Sequence, residues 1–180
     1  MINPFLIGTR LYLRPLENGD AATLAAYLND PEVMSTLHRS HPLSVKAEQA
    51  FIDGLAQSQE TLTLGTVLKE NDYLIGVVGL HQFDWVNRHA GFGITIGARK
   101  EWGKGHGTEA TALIVEHAFT TLNLNRVWLH VMAENERGIR AYRHVGFQTE
   151  GTLRQALFRG GRYHDLLTMA ILQGDWAAKR

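Results

Sequence analysis

The chain has 180 residues, 44% of them hydrophobic, with eighteen Lys and Arg balancing eighteen Asp and Glu and no cysteine. That size and apolar content suit one globular domain spanning residues 1–180 with a sizeable core. Charge balance gives no global pull toward nucleic acid or an anionic membrane, so neither is an expected partner; the missing cysteine excludes disulfides, thiolate catalysis and Cys-ligated zinc. The opening "MINPFLIGTR" lacks a basic segment followed by an apolar run. No stretch reaches the roughly 20 apolar residues of a membrane span, and a cytoplasmic location is expected.

In chain order, "TRLYLRPL" from Thr9 alternates apolar and polar residues at strand period and is closed by Pro15. Asp20 then stands as the cap of a helix that carries Leu24, Tyr27 and Leu28 on one face and stops at Asn29-Asp30-Pro31. Ser44 caps a second helix, with Phe51, Ile52 and Leu55 expected on its buried side. "LTLGTVLKENDYLIGVVGLHQF" reads as a hairpin around Glu70-Asn71-Asp72, and "AGFGITIGA" as a short strand interrupted by glycines. Ala110, Leu113, Ile114, Ala118 and Leu122 recur at helical spacing and predict a helix from about Thr108 to Leu122. "RVWLHVM" returns to strand, and "NERGIRAYRHVG" is a helix with Asn135 at its cap and Gly146 as its C′ residue. Strands over 147–158 and 164–172 follow, joined by the turn "RGGRY". The order predicts an α+β (α/β mixed) fold with a mostly antiparallel sheet flanked by helices, without repeats or linkers.

"EWGKGHGTEA" sets Gly103, Gly105 and Gly107 at alternate positions directly before a helix. Bare amides at the positive end of a helix suit an anion, phosphate or pyrophosphate above all. Lys104 adds a point charge, and Thr108 either donates to phosphate or caps the helix. The loop is neither of two familiar phosphate binders. Five residues separate Gly97 from Gly103, one more than a Walker A loop has, and Lys104 is followed by Gly105 rather than Ser or Thr. A dinucleotide fingerprint would need its third glycine one residue later, in a parallel βαβ unit.

At these residues the chain resembles the GNAT acyltransferases, whose pyrophosphate loop follows Gln/Arg-x-x-Gly-x-Gly/Ala. "WGKGHG" places Gly105 and Gly107 at the glycine positions, with Trp102 where Gln or Arg is usual, a departure shared by branches that resemble the ribosomal-protein N-acetyltransferases. "NERGIRAYRHVGF" is similar to the family's N-x-x-S-x-x-x-Y-x-x-x-G-F: Asn135, Tyr142, Gly146 and Phe147 match, and Gly138 stands where serine is common. The element order agrees from Thr9 to Leu172.

The resemblance implies a GNAT fold with a splayed central strand pair, and acetyl-CoA as cosubstrate of an N-acetyltransferase. Amides of Gly103, Lys104, Gly105, His106, Gly107 and Thr108, with Trp102 beside them, would hold the pyrophosphate. Backbone near Thr95, Ile96 and Gly97, together with Asn135, would hold the pantetheine arm. Read from spacing alone Tyr142 is a core tyrosine; the resemblance makes it the general acid, since a phenol of pKa about 10 keeps its proton at neutral pH. His130 is the chosen base, acting directly or through water, although His81, Glu134 or bulk water are alternatives because Gly91 stands where relatives often carry an acid. No histidine or carboxylate spacing indicates a metal.

The expected acceptor is a primary amine. An α-amine of pKa near 7.7 to 8.0 is roughly a tenth or more unprotonated at neutral pH, against about one in a thousand for lysine, so weak base machinery suits a peptide N-terminus or a small amine. Polyamine acetylases are similar through "YRHVGF" and the C-terminal hairpin, but a polycation needs convergent carboxylates, for which Asp84, Glu134 and Asp165 are the candidates. A non-catalytic acyl-CoA sensor is the reading from another class. Dimers are frequent in the family, which makes a homodimer the expected assembly.

Overall fold

The computed structural model describes residues 1–37 and 39–179. Its strands are β1 (Leu6–Ile7), β2 (Leu11–Pro15), β3 (Thr61–Leu68), β4 (Leu74–Asp84), β5 (His89–Ile96), β6 (Arg126–Met132), β7 (Gln148–Arg159) and β8 (Arg162–Leu172). The helices are α1 (Ala21–Asn29), α2 (Pro31–Met34), α3 (Val45–Leu55), α4 (His106–Thr120), α5 (Glu136–Val145) and α6 (Gln173–Ala177). The eight strands form one sheet in the order β1-β2-β3-β4-β5-β6-β8-β7, antiparallel throughout except where β5 meets β6. The mixed, mostly antiparallel architecture read from the sequence is the one observed.

Strand alternation sends side chains to two cores. Leu11 and Leu13 of β2 join Leu64, Val78, Leu80, Val127 and Leu129 under α4, whose Ala110, Ile114 and Ala118 are fully buried. Tyr12, between those two leucines, points to the opposite face and packs with Ala21 and Leu24 of α1 and Ile52 of α3. Covering on both faces explains why β2 is buried at four consecutive positions, Leu11 to Arg14. Arg14 shares the Tyr12 side and makes a bidentate pair with Asp20 at 2.7 and 2.9 Å, inside the protein.

Several local readings are amended. Asp20 precedes α1, but its carboxylate serves Arg14 and the Glu17 N–H rather than capping the helix. The first helix stops at Asn29 as expected, but the Asp30 carboxylate then accepts from the N–H groups of Glu32 and Val33 and starts a short further helix, α2. Ser44 caps α3 as expected, whereas Phe51 is 46% exposed and not part of the core. β1 and α6, too short to carry a period, were not foreseen. α4 begins at His106 with Gly105 as its N-cap, two residues before the expected start, so Thr108 lies in the first turn and is no cap. No helix among the described residues is long and apolar enough to cross a membrane.

Candidate active site

β5 and β6 pair only from His89 to Gly91 against Arg126 to Trp128. Beyond Gly91, β5 stays with β4 as far as Ile96, and β6 stays with β8 as far as Met132. The two strands therefore part in the middle of the sheet. The gap opens into a cleft of about 1770 Å³ that runs from the glycine loop, across the splay, to the region below α3. Small-ligand pockets occupy about 300 to 1,000 Å³, so this space suits a long cosubstrate together with a second reactant.

The sheet register decides which backbone groups face the gap. The Gly97 N–H bonds to the Ile75 carbonyl, which makes Ile96 and Gly76 a pair without mutual bonds. By the alternation of an antiparallel ladder, Thr95 then spends both of its backbone groups on Val77, while Ile94 and Ile96 turn theirs toward the gap. The Ile96 carbonyl is already taken by the Trp102 indole N–H at 2.5 Å. The β5 backbone groups left open toward the gap are thus those of Ile94 and the Ile96 N–H, not those of Thr95 and Gly97. Period 2 was legible in the sequence; its phase was not.

At the upper end, Gly103 and Gly105 adopt φ of 76° and 82°, a region that costs any residue with a Cβ. This turns the chain sharply into α4. None of the N–H groups from Gly103 to Thr108 has a hydrogen-bond partner among the described residues; the first amide bonded into the helix is Glu109, to the Gly105 carbonyl at 3.1 Å. Six unpaired donors at the positive end of a fifteen-residue helix fit a diphosphate. The loop is pinned from outside by Arg10, which donates from Nη1 to the Lys104 carbonyl at 2.6 Å and from Nε to Glu109 at 2.9 Å. Burial pushes the Glu109 carboxyl up, but the hydrogen bonds from Arg10 outweigh it and hold the group below its ordinary pKa.

Of the residues expected to hold the cosubstrate, together with Tyr142 and His130, all line this cleft except Gly97 and Lys104. Gly97 faces the other way, where a Cβ would stand 2.3 Å from that of Tyr27. Lys104 turns its ammonium to Glu101, at 3.1 Å, on the outer side of the loop. A different cation takes the inner side: Arg137, on the first turn of α5, lies 3.8 Å above the Trp102 ring and lines the cleft. Trp102 thus joins the end of β5 to the start of α5. His106 is buried with Nε2 3.3 Å from Glu101, and its Nδ1 has no hydrogen-bond partner among the described residues. Asn135 caps α5, accepting from the Gly138 N–H at 3.0 Å.

Tyr142 projects from α5 between Phe92 and Phe147, with ring centroids 5.9 and 6.0 Å away, and reaches the splay. Burial pushes its phenol up to about 12, opposed by the positive charge of Arg137. Its hydroxyl makes no hydrogen bond among the described residues.

On the other face of the sheet, His81, Trp128 and His130 surround the vertex where β5 and β6 part. Glu48 of α3 closes this end; it is 4% exposed, and burial raises its pKa against the opposing charge of Arg39. The three carboxylates named for a polyamine do not converge here. Asp84 accepts from Asn87, Glu134 pairs with the His164 ring at 2.9 Å, and Asp165 accepts from the Gln155 N–H; none of the three lines the cleft. Among the described residues no group of three or more His, Asp or Glu is arranged to hold a metal.

A diphosphate cradle, an unpaired strand edge and a tyrosine at the splay together define a transferase that draws on a long phosphorylated acyl donor. A family model described as an acetyltransferase (GNAT) domain matches residues 10–148. The chain is 33% identical over 171 residues to the N-acetyltransferase p20 of Bacillus licheniformis, covering 93% of this chain and 96% of that protein. It is 30% identical over 171 residues to the spermidine N(1)-acetyltransferase of Vibrio cholerae, covering 94% and 97% of the two chains. The crystal structure of spermidine N-acetyltransferase from Vibrio cholerae in complex with CoA and spermine superposes with a TM-score of 0.87 over 93% of this chain and 98% of that one, at 30% identity. The chain belongs to the GNAT acetyltransferase family and is an N-acetyltransferase that uses acetyl-CoA.

Proposed function

We propose that the enzyme acetylates the α-amine of a peptide N-terminus or of a small monoamine. Acetyl-CoA supplies an acetyl group activated as a thioester. Unpaired N–H groups from Gly103 to Thr108 hold the diphosphate, with Arg137 adding charge from α5. Ile94 and the Ile96 N–H offer the strand edge to the pantetheine arm, beside Asn135. Tyr142, near the apex of the splay, keeps its proton on Oη at neutral pH for the departing sulfur, as the N–C bond forms and the C–S bond breaks. The acceptor's ammonium proton leaves through one of the two imidazoles at the vertex, His81 or His130.

One observation carries the acceptor class: among the described residues the acceptor end presents a single buried carboxylate, Glu48, and Asp84, Glu134 and Asp165 are engaged elsewhere. A lone carboxylate balances one ammonium. The second reading, spermidine, is supported by the likeness to the Vibrio cholerae enzyme. Thiol release from acetyl-CoA, measured with a peptide α-amine, a monoamine, spermidine and a lysine side-chain peptide, separates the two. We expect kcat/KM to be highest for an α-amine or monoamine; a spermidine value tenfold above both would replace the proposal with the second reading.

A further inference from the structure

We infer that His81 is the proton acceptor for the incoming amine, and that Gly91 is the residue that makes room for it. The inference rests on the acetyl-transfer reading above only in requiring an ammonium at the vertex of the splay.

His81 of β4 stands in register with Gly91 of β5, and Gly91 with Trp128 of β6. The three form one row across the sheet on the acceptor face. Because the middle member has no side chain, the imidazole leans over it toward Trp128, meeting that ring edge-on with centroids 6.0 Å apart and planes at 85°. A Cβ on Gly91 would stand 2.4 Å from Cε1 and 2.7 Å from Nδ1 of His81, and 3.1 Å from Cζ2 of Trp128. Any side chain there must displace the histidine. Gly91–Trp128 is also the last paired rung between β5 and β6, so the ring lies where the gap begins.

The site suits a base. The Phe92 backbone favours the protonated form of the ring, and the ring lines the cleft from which the proton comes. Burial lowers the imidazole's pKa below its ordinary value, against the influence of the Phe92 backbone, and the charge of His130 lowers it further. The titratable groups facing this space are His130 on β6 and, from the α3 side of the cleft, Glu48 and Arg39; β3 offers Thr61 in register and β5 offers only glycine. His130 is exposed and its ring centroid lies 5.2 Å from that of Trp128, a position from which its charge modulates His81. In the step, the ammonium N–H bond breaks, its electron pair stays on nitrogen, and the proton goes to an imidazole nitrogen of His81 and then to solvent. The amine is left with the lone pair that attacks.

The test uses His81→Gln, Gly91→Ala and His130→Gln in the full chain, assayed with whichever amine the parent acetylates fastest, so an error in acceptor class leaves it intact. For the parent, the acid limb of kcat/KM against pH has its midpoint below about 6.5. His81→Gln lowers kcat/KM by about 10²-fold at pH 7 and moves the limb up to the acceptor's own pKa, with the deficit shrinking toward pH 9. Coenzyme A affinity by calorimetry stays within twofold, and His130→Gln moves the limb upward by less than about half a pH unit, the direction set by losing a charge that lowers the His81 pKa. Independently of turnover, NMR titration of the histidine ring resonances places His81 below about 6.5 in the parent and closer to it in Gly91→Ala, where the ring is pushed into water. A His81→Gln enzyme with the parent's limb and rate within twofold, or a His81 that titrates at or above the ordinary value, would overturn the inference. Transfer of the whole effect to His130→Gln would assign the proton to that residue instead.

Discussion

The contact between Trp102 and Arg137 makes a quantitative prediction about how the cosubstrate is held. Trp102 does two separable things: its indole N–H bonds to the Ile96 carbonyl at 2.5 Å, and its face carries the Arg137 guanidinium at 3.8 Å. A neutral hydrogen bond contributes about 0.5 to 1.5 kcal/mol net. A cation–π pair at a largely exposed site such as Arg137 contributes about 0.5 to 1 kcal/mol. Trp102→Phe removes the first and leaves a weaker version of the second; Trp102→Ala removes both, about 1 to 2.5 kcal/mol. If the ordered loop and α5 are what coenzyme A binds, that loss appears as roughly 5- to 60-fold weaker affinity. Arg137→Ala loses the stack and the charge it brings to the phosphates. In the double variant the stack is counted once, so the losses fall short of additive by about 0.5 to 1 kcal/mol. The assay is isothermal calorimetry of coenzyme A with the four proteins, beside urea unfolding to separate binding from stability. Strict additivity, within about 0.3 kcal/mol, would mean that the two side chains do not act together, and the role given to Trp102 would fail.

Three further outcomes follow from burial and charge. Tyr142→Phe should lower kcat by about 10²-fold with coenzyme A affinity unchanged; in the parent, a phenol pushed up to about 12 stays protonated, so kcat should not fall before pH 10. Asp20→Ala leaves Arg14 buried without its partner and should cost about 3 to 5 kcal/mol by urea unfolding. Burial raises the Asp20 carboxyl, but hydrogen bonds from Arg14 and the Glu17 N–H hold it net below its ordinary pKa, so its contribution is full above about pH 4 and fades as pH falls through the lowered value. His81 and His117 are both lowered by burial, so the unfolded chain takes up their protons first; thermal midpoints should fall as pH drops below about 6.5, and His117→Gln should flatten that slope.

What the sequence revealed and what it hid divide along physical lines. The glycine loop and α5 were legible because caps, helical period and positive-φ positions are local: Ser44, Asn135 and Gly146 each sit where capping chemistry requires. Placement across strands is not local. Ile94 rather than Thr95 faces the gap because the Gly97 N–H bonds to Ile75, a phase set by the hairpin of β4 and β5 and not by composition. Its place in the glycine loop points Lys104 toward phosphate, but Glu101 three residues earlier claims its ammonium. Phe51 was given to the core because an apolar helical stripe looks alike whether it meets a sheet or the rim of a cleft.

The row of His81, Gly91 and Trp128 shows the same limit at the chemistry itself. Gly91 read in isolation is a missing acid. Its meaning comes from the register of β4 on β5, which a bulge between His81 and Asp84 adjusts, with Gln82 and Arg88 at φ of 52° and 56° turning the chain back. Once that register is set, the vacancy at Gly91 and the imidazole at His81 are one feature: the space a carboxylate side chain would fill is filled from the neighbouring strand. A base delivered this way is neutral before it acts, so it adds no fixed negative charge to the acceptor site beside that of Glu48. A site with so little negative charge attracts a polycation weakly, which ties the choice of base to the choice of amine.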